Sequence, residues 1–204
     1  MTLTQSALAR PFSTVRARVP WRLVGLCCLG YLLVLVAWSA PAPGPDEAPQ
    51  PEYGIKAAFL YKFLSYVEWR PGTFAQPKSP VVIGVLGAAD IAEALHTLVA
   101  GRTAGDRPVE VRRMRPGESL DGVHMLFVGH AEASRTAQLA PIARQRGVLL
   151  VTDFEGALDE GSAINLLVVD NRVRFEVSLE ATEKSGLKLS SRMLAVALWV
   201  RPAH

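Results

Sequence analysis

Three short stretches of this sequence carry no formal charge: 81–86 (VVIGVL), 123–128 (VHMLFV) and 148–152 (VLLVT). Each is short and rich in β-branched residues. None of them alternates apolar with polar positions, so neither side of such a strand is suited to water. Strands of this kind belong to sheets covered on both faces, and covering both faces requires helices between them.

The intervening segments have helical period. Residues 52–69 (EYGIKAAFLYKFLSYVEW) repeat apolar side chains at Ile55, Phe59, Phe63 and Tyr66, with Lys56, Lys62 and Glu68 outside a wide apolar arc. This predicts a largely buried helix that Arg70-Pro71-Gly72 ends. Residues 88–100 predict a helix stopped by Gly101, and residues 131–146 another stopped by Gly147. Residues 108–113 (PVEVRR) alternate like an edge strand. Residues 162–169 and 172–178 read as a hairpin about Asp170-Asn171, a pair that tolerates the positive φ of a tight turn. A short helix over 179–185 stopped by Gly186, and a strongly apolar helix over 190–200 capped by Ser190 or Ser191, complete the chain. The expected fold class is α/β: a single domain, residues 52–204, with a mixed β-sheet and helices on both faces.

What precedes that domain is read as an address. Residues 1–22 hold four arginines and no acidic residue, and residues 23–37 (LVGLCCLGYLLVLVA) hold no charge. A basic leader followed by an apolar run is the layout of a secretory signal peptide. The small residues Ala37 and Ser39 suit cleavage before Ala40. An uncleaved anchor is the alternative, since the run is close to the ~17 residues that span a bilayer. Residues 40–51 (APAPGPDEAPQP) are a proline-dense linker that excludes helix.

The leader also explains the composition. The 204 residues carry a net charge of +3, with 22 basic and 19 acidic residues. The sequence pI is about 9.1. Removing residues 1–39 takes away four of the basic residues and none of the acidic ones, leaving −1. A nucleic-acid partner loses its support. Both cysteines, Cys27 and Cys28, lie inside the apolar run, so the exported domain can form no disulfide and no cysteine-based zinc site.

Catalytic patterns are scarce. Gly84 and Gly87 are spaced G-x-x-G, which suits tight turning rather than a dinucleotide loop. His96, His124, His130 and His204 form no metal-binding pair, and no cofactor or metal is expected. His124, in an apolar strand, reads as a hydrogen-bonded structural histidine. His130 stands where a strand gives way to a helix, as a capping or surface residue, with ligand contact as its functional alternative. The acidic residues Asp153, Glu155, Asp159 and Glu160 lack the ligand spacing of a calcium loop and read as solvated. Arg112, Arg113 and Arg115 read as a solvated strand end without the aromatics that stack bases. No serine elbow or nucleophile–base pair points to a hydrolase.

Three groups of residues together resemble the YfiR-like family of exported proteins. The first is Tyr53-Gly54-Ile55-Lys56-Ala57-Ala58-Phe59-Leu60-Tyr61-Lys62-Phe63, with Val67-Glu68-Trp69 behind it. The second is Ile83-Gly84-Val85-Leu86-Gly87, followed by Leu95 and Gly101. The third joins Gly161-Ser162-Ala163-Ile164-Asn165-Leu166, Arg172-Val173-Arg174-Phe175-Glu176-Val177 and Ser185-Gly186-Leu187-Lys188-Leu189-Ser190-Ser191-Arg192-Met193-Leu194. The resemblance implies a periplasmic α/β protein that regulates rather than catalyses, and so is not an enzyme. It implies an inner-membrane signalling partner, a diguanylate cyclase or another sensor, held inactive so that cyclic-di-GMP and biofilm formation fall. It also implies a homodimer, with membrane contact only through the leader if that is uncleaved. Two departures are visible. Cysteines that relatives use for redox control are missing here, with His124 where one often stands, and Arg70 intervenes between Trp69 and Pro71.

Candidate partner contacts are Tyr66, Trp69 and Arg70 at the aromatic end of the first helix, and Arg172 and Arg174 on the strand 172–177, since Trp and Arg are enriched at binding hot spots. Trp69 reads equally well as core. The alternative function is a small-molecule sensor or carrier, whose ligand would sit near Gly87 and His130 at the strand ends.

Overall fold

The computed structural model describes residues 51–203, and the leader and most of the proline-dense linker lie outside the described residues. The elements are α1 (Glu52–Phe63), β1 (Val67–Glu68), β2 (Val81–Leu86), α2 (Ala89–Val99), β3 (Thr103–Ala104), β4 (Arg107–Met114), β5 (Met125–Val128), α3 (Thr136–Arg146), β6 (Leu149–Thr152), β7 (Ile164–Val169), β8 (Arg172–Ser178), α4 (Leu179–Lys184), β9 (Lys188–Leu189), α5 (Ser191–Leu194) and β10 (Trp199–Arg201). Eight strands form one curled mixed sheet in the order β10-β8-β7-β6-β5-β2-β4-β3, and β1 pairs separately with β9. The strands β4, β2, β5, β6 and β7 run parallel to one another. β8 returns antiparallel to β7 through Asp170 and Asn171, both at positive φ (49° and 57°), as a two-residue hairpin of this twist demands.

Both faces are covered, as the apolar strands require. Ile83, Met125, Phe127 and Val151 pack with Leu60 and Phe63 of α1 and Leu95 of α2 on one face. Leu86, Leu126, Val128 and Leu150 point the other way, toward Ala140 and Ala143 of α3. Alternate residues of one strand therefore serve two separate cores, which is why no polar position interrupts them. Beyond β6 the second face has no helix over it, and Arg172, Arg174 and Trp199 are exposed there.

Two expected helices are shorter than the pattern suggested. The first ends at Phe63 and tightens into a single turn over Leu64–Tyr66. Val67 then turns extended (φ −105°, ψ 126°) and pairs with Leu189, while the Tyr66 carbonyl accepts from the Ser190 amide. A tertiary strand pair thus outcompetes the last helical turn. The closing helix is only α5, capped by Ser190, whose hydroxyl accepts from the Arg192 amide. The Leu198 amide donates to the Phe175 carbonyl at 2.8 Å, and the apolar tail becomes the edge strand β10 parallel to β8. Similarly, the segment before α3 is a separate tight turn (His130–Arg135), because Glu132 departs from helical geometry.

Phe127 is the largest fully buried side chain, at the centre of the first core. Phe127→Ala should cost about 3–5 kcal/mol, read as a lower urea midpoint at unchanged slope. A loss below about 1 kcal/mol would contradict this packing.

Candidate functional site

Two surface depressions stand out, one at the strand ends and one beside α1. The chain runs from β2 outward to β4 and then back to β5 on the other side of β2, so a crevice opens between Gly87 and Gly129. This is the position where parallel sheets offer a ligand site. The crevice has a volume of about 300 Å3 and is lined by Glu52, Tyr53, Lys56, Asp90, His130 and Asp153, among others.

Its polar groups are largely engaged with one another. The buried Lys56 ammonium donates to Asp153 Oδ2 at 2.7 Å and pairs with Glu52 Oε1 at 2.6 Å. Asp153 Oδ1 accepts from the His130 amide at 2.8 Å. Burial pulls the Lys56 pKa down, but the hydrogen bonds to Asp153 and Glu52 outweigh it and hold the pKa above the usual lysine value. The ammonium is therefore a fixed cation, not a nucleophile. Asp153 is thus not part of a solvated acidic loop, and Asp159 is likewise paired, with Arg201 at 2.7 Å. The walls are also close: a Cβ at Gly129 would fall 2.7 Å from the Gly87 carbonyl oxygen. Among the described residues no group of three His, Cys, Asp or Glu side chains could hold a metal.

The second depression is an apolar groove of about 330 Å3 between α1, β8 and the α5 turn. Phe59, Phe63 and Phe175 form its aromatic wall, with ring centroids 5.2–5.8 Å apart in tilted and edge contacts. Tyr66, Met193 and Val196 continue it, and Lys62 and Arg192 are its only charged lining residues. Val196 and Leu198 are at least half exposed, whereas Trp199 pairs with Glu176 and so lies on the opposite sheet face with Arg172 and Arg174.

The six sequence candidates scatter. Tyr66 lines the groove. Trp69, past the same end of α1, instead joins a stack, edge-on to Phe74 and His124 at 6.1 and 6.0 Å. Arg70 caps the C-terminus of α3, donating to the carbonyls of Arg144 (3.4 Å) and Gln145 (3.2 Å). Gly147, at φ +68°, leaves the space it needs, since a Cβ there would lie 2.2 Å from the Arg70 guanidinium. His130 is exposed at the crevice, with only its amide engaged there. Arg172 and Arg174 are exposed on the sheet face opposite the groove, because Val173 and Phe175 alternate with them toward α1. The groove residues Phe63, Phe175 and Met193 also belong to the buried core, with Phe59 packed against it. The only signal that set them apart was an apolar arc wider than one packed face consumes.

His124 is structural. Its Nδ1 accepts from the Val82 amide at 3.1 Å, and its backbone continues the ladder between β2 and β6. Its ring stacks on Phe74 at 4.6 Å, and the Arg107 guanidinium covers the other side of Phe74 at 3.8 Å. Burial lowers the His124 pKa, a backbone hydrogen bond with Thr73 opposes the fall, and Arg107 adds to it.

The chain matches the YfiR/HmsC-like family over residues 53–198, and it belongs to that family. Its fold is similar to the crystal structure of a conserved domain protein from Vibrio cholerae O1 biovar El Tor, with a TM-score of 0.50 and 12% identity. The match covers 74% of this chain, and this chain spans 60% of that one. No curated protein matches.

Because folding lowers the affinity of His124 for a proton, stability is complete above the unfolded value of 6.5 and falls as pH drops below it. Thermal melts between pH 7.5 and 5 should show a smaller acid loss for His124→Asn, which keeps an acceptor for Val82. Equal losses in both proteins would contradict this assignment.

Proposed function

We propose that this protein is an exported periplasmic regulator that binds an inner-membrane signalling protein and holds it inactive, with a diguanylate cyclase as the expected partner. Family membership across 53–198 is the observation that carries this reading. The leader supports export, and the apolar groove with the exposed Val196 offers the unsatisfied surface that a binder needs. The domain boundaries at residues 39 and 51, and a homodimer, belong to the same proposal. No helix among the described residues is long and apolar enough to cross a membrane.

The small-molecule alternative would use the crevice near Gly87 and His130. Its fixed cation is already paired with Glu52 and Asp153, and Asp90 adds a further carboxylate, so among the described residues the crevice offers an anionic ligand no free positive charge.

Deletion of the gene should raise cyclic-di-GMP, and the protein should co-purify with an inner-membrane protein carrying a cyclase domain. Unchanged nucleotide together with no membrane partner would overturn the reading.

A further inference from the structure

We infer that the groove between α1, β8 and α5 receives an amphipathic helix of a protein partner whose apolar stripe is flanked by carboxylates. This rests on the binding role just proposed and names the chemistry of its docking face. Apart from Lys62 and Arg192, the lining is apolar or aromatic, and both cations are exposed. Neither has an ion-pair partner among the described residues. Among the described residues no aspartate or glutamate lines the groove. An apolar trough flanked by unpaired cations is complementary to an apolar stripe flanked by anions.

The same charges select among occupants. Two copies meeting on this face about a two-fold axis would bring both Lys62 and both Arg192 together with no lining carboxylate between them. A family-type dimer would therefore use another face. A lipid acyl chain would meet the charge requirement through its headgroup. The groove is open rather than enclosed, however, so the chain's outer side would stay in water. A helix seats its apolar face and turns a polar face to solvent.

The test uses the protein purified from its host's cell envelope and two labelled synthetic helices. Both carry leucines at i, i+3, i+4 and i+7, one with glutamates flanking the stripe and one with lysines. Anisotropy titrations should show the glutamate helix binding about tenfold or more tighter. Val196→Asp should weaken it by a similar factor, and the double variant Lys62→Glu/Arg192→Glu should reverse the preference. All three altered side chains are exposed, so folding should be retained, which circular dichroism checks.

Equal binding of the two helices, no binding of either, or a preference unmoved by the double variant overturns the inference. So does a dimer that Val196→Asp converts to monomer in sedimentation, which would make a second copy the occupant. Phosphatidylglycerol vesicles that bind the protein but not Val196→Asp would make it a lipid site. Tighter binding once residues 40–50 are removed would make the chain's own linker the occupant. Each of these outcomes leaves the regulatory reading standing, whereas absence of any membrane partner for the unaltered protein removes that reading and not the groove.

Discussion

Everything in this domain depends on burying the central parallel strands from both sides. β2, β5 and β6 present alternate apolar residues to opposite faces, and any uncovered side would leave several large side chains in water at roughly 1.5–3 kcal/mol each. Hence α1 and α2 cover one face and α3 the other. Two of the contacts that cross between elements work on the same problem. Arg70 ties the segment after α1 to the end of α3, and Lys56 ties α1 to the loop after β6. The helices on each face are thereby held in register with the strands they cover.

That requirement also determines what is left over. The covering layer stops at α1, while the sheet continues through β7 and β8 to β10. Between α1, β8 and the short α5 the edge of the core stays open, so Phe63 and Phe175 are buried and yet form the floor of a groove. At the strand ends the situation is reversed. Close backbone approach and a closed set of charges use up the crevice that parallel sheets usually give to a ligand. The open groove and the crowded crevice are two consequences of one topology.

The buried strands, the Asp170-Asn171 hairpin, the glycine stops and the two-sided sheet were legible in the sequence because each follows from local pattern. The ends of α1 and α5 were not. Val67 and Leu198 leave the helical path because partners more than a hundred and about twenty residues away, Leu189 and Phe175, claim their backbone. No local signal encodes such pairings. The candidate site was less legible still. Tyr66 lines the groove, whereas Trp69 and Arg70 serve packing and capping, and the groove's own aromatics carry the same pattern as core. Whether an apolar helical position is covered depends on how far the neighbouring layer extends, which is a tertiary property.

Hydrogen exchange compared between the isolated protein and its complex with the membrane protein that co-purifies with it would test the central claim most directly. The account predicts new protection at residues 55–66 and 192–198, with residues 87–91 and 129–131 unchanged. Protection appearing at the crevice instead, with the groove exchanging as before, would contradict it.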